Sequence, residues 1–286
     1  MSVDKLQKGI RKLKNPSMVM FCLDAKHIPP EYHSVESGVC ASYGAYAKAI
    51  LLALKDVAPA VRFDFGSFAI QGAEGIKTLS QLLDTANEQG YYILLDAPAI
   101  HTPRAAELAA KTLAEQWRFD GLLLSGYLGS DGIKPFVQQL KSYDFDLFMA
   151  LRTANKSASE LQDLLAGTRL VYTVAADMAK LLGEDYIARC GYSRIGGMGP
   201  ATSGEKLEML RNKYPQMFLL IDGFDYSGAN AKNCSMAFDK LGHGAVACVG
   251  ESVLAAWKEE TGEPVALAVE AAERMKKNLN RYISIL

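Results

Sequence analysis

The 286-residue sequence predicts an α/β fold, a single-domain (β/α)8 TIM barrel. Three observations carry that prediction. Short apolar runs alternate strictly with helical stretches, the pattern of parallel strands joined by crossover helices. Eight such strand–helix units follow one another, and eight in one chain favour closure into a barrel. No stretch rich in proline, glycine or serine divides the chain, so residues 1–286 read as one domain with an N-terminal helix and a C-terminal helical extension. An open doubly wound sheet is the competing arrangement. It lacks support because no GxGxxG follows the first apolar run.

The elements follow in order. Residues 3–13 are an amphipathic helix stopped near Asn15 and Pro16. The run 17–23 is strand one, ending at Asp24, and 27–42 is a polar, proline-rich loop. Residues 43–57 are helical until Pro59. Strand two, 60–65, carries Arg62 and Asp64. A helix over 73–89 ends at Gly90, and strand three, 91–95, ends at Asp96. The pattern continues with helix 105–116, strand four 121–125, helix 133–142 and strand five 145–151. Helices over 159–166 and 171–189 precede strand six, 192–197, which Gly196 and Gly197 should shorten. Helix 203–213, strand seven 217–221, helix 231–240 and strand eight 244–249 complete the barrel. A terminal helix over 254–286 should break at Gly262 and Pro264.

Composition narrows the function. The net charge of −1 provides no bulk field for nucleic acid or an anionic membrane. No apolar run reaches the ~18 residues of a membrane-spanning helix. The charged first helix does not read as a signal peptide. Five scattered cysteines without CxxC spacing indicate reduced thiols and a cytoplasmic protein. The four histidines lack metal-ligand spacing, so a structural metal is not expected.

In a barrel every C-terminal strand end faces one mouth. That places Asp24, Arg62 with Asp64, Asp96 with His101, the segments 125–130, 152–155, 196–199 and 222–228, and Gly250 with Glu251 around one opening. One reading is a small-molecule pocket. The other is a set of helix caps, since Asp, Ser and Asn favour that position. Asp24 and Asp96 each end an apolar strand well before the next helix, which favours the pocket. The glycine-rich loop after strand seven occupies the usual phosphate-gripping place of a barrel, where glycines let backbone N–H groups approach closely. Asp222, Asp225 and Glu251 around it would repel an anion.

Two segments, DGLLLSGYLGSDGIKPF (120–136) and ALRTANKSASELQDL (150–164), carry a resemblance. They are similar to the NPYLGxDxxxPF and RTSNPxxxELQDL segments of the bacterial type 2 orotidine 5'-phosphate decarboxylases. CLDA (22–25), VAPAVRF (57–63), LLDAPAIHT (94–102) and IDGFDYSGA (221–229) resemble further segments of that family, in order. The resemblance implies a cofactor-free carboxy-lyase of pyrimidine nucleotide biosynthesis that works as a homodimer. It also implies an Asp-Lys-Asp-Lys network in which one lysine protonates the substrate carbanion. Asp24 and Asp96 match the family's carboxylates. Arg62 stands at the strand-two lysine and Pro98 at the proton-donating lysine. His101 stands at the second Asp of that motif, which the other subunit usually supplies. Ala154 stands at the serine that reads the pyrimidine, Ser227 at the phosphate-loop glutamine and Glu251 at the phosphate-clamping arginine.

Proline has no ionisable group, so the expected general acid is absent. Arginine keeps a positive charge but is a poor proton donor. Histidine is the side-chain type suited to acid–base work near neutral pH, which makes His101 the candidate replacement acid. The catalytic set is therefore expected to be Asp24, Arg62, Asp96 and His101. The ligand-binding set is Thr153, Asn155, Gly223, Ser227, Gly228 and Glu251. The expectation is a decarboxylase-like barrel whose parent chemistry is lost or altered, with a small-molecule ligand at its mouth that is nucleotide-like if ancestral binding survives. A working decarboxylase and a non-catalytic binding or partner protein are the alternatives.

Overall fold

Eight runs rich in Leu, Ile, Val, Phe and Met are buried on both faces, and such runs form the parallel strands of a barrel wrapped in helices. The computed structural model describes every residue except Met1, Val35, Ser37 and Leu286. Its barrel strands are β1 (Ser17–Phe21), β2 (Ala60–Phe63), β3 (Tyr92–Asp96), β4 (Gly121–Ser125), β5 (Asp146–Ala150), β6 (Ser193–Pro200), β7 (Met217–Asp222) and β8 (Ala245–Val249). They close in the order β1-β8-β7-β6-β5-β4-β3-β2. Met20, Arg62 and Leu94 lie level across β1, β2 and β3. The chain is a (β/α)8 TIM barrel, as the alternation predicts.

Eleven α-helices surround or cap the barrel among the described residues: α1 (Ser2–Leu13), α2 (Gly38–Ala53), α3 (Phe65–Ala69), α4 (Gly72–Glu88), α5 (Pro103–Gln116), α6 (Ser130–Gln139), α7 (Val171–Gly183), α8 (Gly204–Lys213), α9 (Ala231–Ser235), α10 (Glu251–Leu254) and α11 (Pro264–Asn280). Helix α1 buries Val3, Leu6 and Ile10 and packs against β3 and β6. No helix among the described residues is long and apolar enough to cross a membrane.

The structure corrects several expected elements. The helix expected over 159–166 does not form. Residues Lys156–Glu160 make a 3-10 turn, and Leu165–Ala166 pairs antiparallel with Arg169–Leu170 around Gly167 at φ 68°. Tertiary bonds override the helical pattern here. Gln162 accepts from the Thr153 N–H at 2.8 Å, and Asp163 pairs with Arg152 at 3.0 Å. Gly196 and Gly197 do not shorten β6. A Cβ at Gly196 would lie 2.5 Å from the Phe218 carbonyl and 2.8 Å from the Phe148 ring, so the glycine allows close packing inside a strand. Helix α3 was not expected; Asp64 caps it by accepting from the Gly66 N–H at 3.1 Å.

Helix α2 begins earlier than expected, and the loop before it contains two 3-10 turns, Ala25–His27 and Pro30–Tyr32. Helix α9 ends at Ser235 instead of reaching 240. The terminal stretch breaks before Pro264, as Gly262 and Pro264 predict, and α11 begins there behind its Glu263 cap. The end of the expected terminal helix at Leu286 lies outside the described residues.

Candidate functional site at the barrel mouth

Arg62 is the centre of the mouth. It sits on β2, is 6% exposed, and spans the barrel between two strand tips. Its Nε and Nη2 donate to the two oxygens of Asp96 at 2.7 and 2.8 Å. Its Nη1 donates to Asp222 Oδ1 at 2.5 Å. One guanidinium therefore ties β2 to β3 and to β7, with the bidentate geometry that suits arginine and a carboxylate. Burial acts to lower the Arg62 pKa, but Asp96 and Asp222 outweigh it and hold the group charged, well above its ordinary value. Burial pushes the Asp96 carboxyl above its usual range, against the pull of Arg62. Burial also pushes the Cys248 thiol, 3.8 Å from Arg62 Nη1, up to about 12.

A cavity of 520 Å³ opens over this cluster. Asp24, Lys26, His27, Gly223 and Glu251 share its walls with Arg62, Asp96 and Asp222. Asp24 accepts from the Lys26 N–H at 2.9 Å and faces the Lys26 ammonium at 3.5 Å. Burial acts to raise the Asp24 pKa, but the hydrogen bond from Lys26 and the neighbouring positive charge lower it overall. Lys26 also reaches Glu251 at 3.5 Å, and Glu251 and Asp24 together raise its pKa. His27 is 5% exposed. Its Nδ1 lies 3.2 Å from the Cys22 carbonyl, which can only accept, so Nδ1 carries the proton and Nε2 is the acceptor. That Nε2 is buried without a partner among the described residues. Burial lowers the His27 pKa and keeps the ring neutral.

The loop after β7 is shaped by two residues. Gly223 takes φ 80°, and a Cβ there would fall 2.2 Å from the Ala154 Cβ and 2.7 Å from the Tyr226 ring. Asp225 turns its carboxylate onto the start of α10. It accepts from the N–H groups of Gly250 (2.7 Å), Glu251 (3.0 Å) and Ser252 (3.2 Å), and from the Ser252 hydroxyl (2.5 Å).

The cavity thus gathers Asp24, Arg62, Asp96, Gly223 and Glu251 from the expected set. It does not include His101, which is exposed in the loop before Thr102, the cap of α5. Thr153 and Asn155 also lie off the cavity wall, with the Thr153 hydroxyl donating to Asn155 at 2.6 Å. Ser227 and Gly228 stay exposed on the outer part of their loop. The helix-cap alternative is realised as well, because Asp24, Asp64 and Ser125 all cap short helical turns. Sequence reasoning missed Lys26 and His27. The signal was their place two and three residues beyond Asp24, on the loop that a barrel turns toward its mouth. Among the described residues no group of three or more His, Cys, Asp or Glu is arranged to hold a metal ion.

No family model matches the chain. It is 29% identical over 262 residues to an orotidine 5'-phosphate decarboxylase of Clostridium perfringens, covering 90% of each chain. It is also 29% identical over 265 residues to one of Clostridium kluyveri, covering 91% of this chain and 89% of that one. The crystal structure of the Plasmodium berghei orotidine 5'-monophosphate decarboxylase superposes with a TM-score of 0.80 at 15% identity, covering 98% of each chain.

Proposed function

We propose that the mouth of this chain, which is similar to orotidine 5'-phosphate decarboxylases, binds a small molecule but no longer decarboxylates orotidine 5'-phosphate. One observation carries this reading: the cation nearest to Asp96 is a locked arginine, and by the family resemblance Pro98 stands where the proton donor is expected. Loss of carbon dioxide leaves a carbanion that needs a proton from a positioned acid. Pro98 supplies none. Arg62 has given Nε, Nη1 and Nη2 to two carboxylates and holds its protons tightly. Asp96 has both oxygens engaged by Arg62, which leaves it poorly placed to act on a substrate carboxylate.

Lys26 favours a second reading, a working decarboxylase with a relocated acid, because it brings an ammonium to the cavity. The reading further includes one domain over residues 1–286, a homodimer and a place in the cytoplasm, supported by the family resemblance and by five unpaired thiols. In such a dimer the exposed His101 would be available to the neighbouring mouth.

The test follows absorbance while orotidine 5'-phosphate is incubated with the protein. No turnover above the uncatalysed rate is expected. Turnover that disappears in Asp96→Ala would overturn the reading, and turnover that disappears in Lys26→Ala would establish the second one.

A further inference from the structure

We propose that Asp225 is a built-in occupant of the barrel's phosphate place, so that the mouth takes a phosphate-free ligand rich in hydrogen-bond donors. The inference rests on reading the mouth as a ligand site. Barrels commonly grip phosphate between the loops after strands seven and eight and a short extra helix, using backbone N–H groups. Here those loops are residues 223–230 and the Gly250–Ser252 turn, and the extra helix is α10. The N–H groups of Gly250, Glu251 and Ser252 are all given to the Asp225 carboxylate, and the Ser252 hydroxyl is added to them. A phosphate arriving there would have to displace a carboxylate already holding four hydrogen bonds. It would also meet the Glu251 carboxylate beside it. Like charges at such separations in a partly dry site repel by several times the thermal energy.

The rest of the wall agrees. Six carboxylates line the cavity (Asp24, Asp64, Asp96, Asp222, Asp225 and Glu251) against two cations, Lys26 and Arg62. Arg62 is held by Asp96 and Asp222 through all three of its nitrogens. Independently of these charges, His27 lines the cavity, and its buried Nε2, an acceptor, has no partner among the described residues. A site walled by acceptors is completed by a ligand that donates, through amine or hydroxyl groups, and a phosphate ester is the wrong partner for it.

Thermal melting and calorimetry of the full chain test this with inorganic phosphate, uridine 5'-monophosphate and uridine as probes. Millimolar phosphate or uridine 5'-monophosphate should leave the wild-type melting temperature unchanged. Asp225→Gly frees the three N–H groups and lets Lys26 turn from Glu251 toward an anion. It should bind phosphate at least tenfold more tightly than wild type and be stabilised by it. Asp225→Asn keeps an acceptor oxygen but loses the charge, and should fall between the two; it also serves if the glycine variant does not fold. Phosphate binding that is as tight in wild type as in the variants overturns the proposal, as does an absence of gain in both. Uridine 5'-monophosphate binding wild type more tightly than uridine would also overturn it. Tight phosphate binding in a wild-type protein that does not decarboxylate would leave the reading of the mouth intact and remove this inference alone.

Discussion

At the mouth, Arg62 holds Asp96 and Asp222, and these carboxylates keep 18% and 20% of their side chains open to the cavity. At the opposite end, Asp146 begins β5 with 1% of its side chain exposed. It accepts from the Tyr92 hydroxyl at 2.9 Å and faces Arg194 at 3.4 Å. Beside it, Lys5 of α1 donates to Asp120 at 2.8 Å and to the Tyr91 carbonyl at 2.6 Å, fastening the helix across the barrel floor. Both ends bury charge, but their partners differ. The floor pairs its ions with tyrosine, backbone and the capping helix. The mouth pairs its ions with one another beneath a 520 Å³ cavity. In barrels the C-terminal end carries function and the N-terminal end carries stability. The division here lies in what completes each cluster: the chain itself at the floor, an open cavity at the mouth.

The strongest way to break this comparison is to remove a central charged group at each end. Arg62→Leu leaves Asp96 and Asp222 buried without a counter-ion, and breaking a buried pair this way costs about 3–5 kcal/mol. Urea unfolding should show that loss, and the mouth should lose its shape for any ligand. Asp146→Asn keeps the volume and an acceptor for Tyr92 but deprives Arg194 of charge, so about 1–3 kcal/mol is expected. Ligand binding at the mouth should be unchanged in Asp146→Asn. If both substitutions altered binding alike, the two ends would form one network, and the division drawn here would fail.

Much of this contrast was legible in the sequence, because burial and strand ends follow from local pattern. Asp24 and Asp96 each stand directly after an apolar run, and both reach the cavity. Arg62, inside such a run, needs buried partners, and Asp96 is one of them. The second partner, Asp222, joins from across the barrel, a contact that no local spacing encodes. Asp225 reads as one more acid in a glycine-rich loop; its role depends on meeting Gly250–Ser252, 25 residues and more away. The 159–166 segment failed for the same reason: its helical pattern lost to bonds from Arg152 and Thr153.

Acidity separates two of the mouth-side carboxylates by sign. Asp163 is held below its usual range: burial acts to raise it, but Arg152 and Lys206 outweigh that. Its contribution is therefore present above the unfolded value of about 3.9 and is lost as pH falls through its folded value. Asp96 is raised by burial, so its contribution is full below the unfolded value and is lost as pH rises through the folded one. Stability measured by urea between pH 3 and 6 should become flatter toward acid in Asp163→Asn, with a change of roughly 1 kcal/mol. Asp96→Asn should change the slope in the opposite direction. Slopes of the same sign in both variants would mean that Arg62 governs Asp96 more than burial does.

The smallest effect compares two lysines. Lys26 is half exposed and bridges Asp24 and Glu251 at 3.5 Å, so Lys26→Ala should change stability by no more than about 0.5 kcal/mol. Lys5 donates to a carboxylate and a backbone carbonyl at shorter distances under α1, so Lys5→Ala should cost more, about 1 kcal/mol. The order should reverse for binding. Removing Lys26 leaves two mouth acids unbridged and strengthens the field on a cationic probe such as spermidine, most clearly at low salt. Removing Lys5 should leave that probe unaffected. Calorimetry at two ionic strengths reads both, and an equal response to the two substitutions would show that the mouth's charge is held by the fold as a whole instead of by the residues around the cavity.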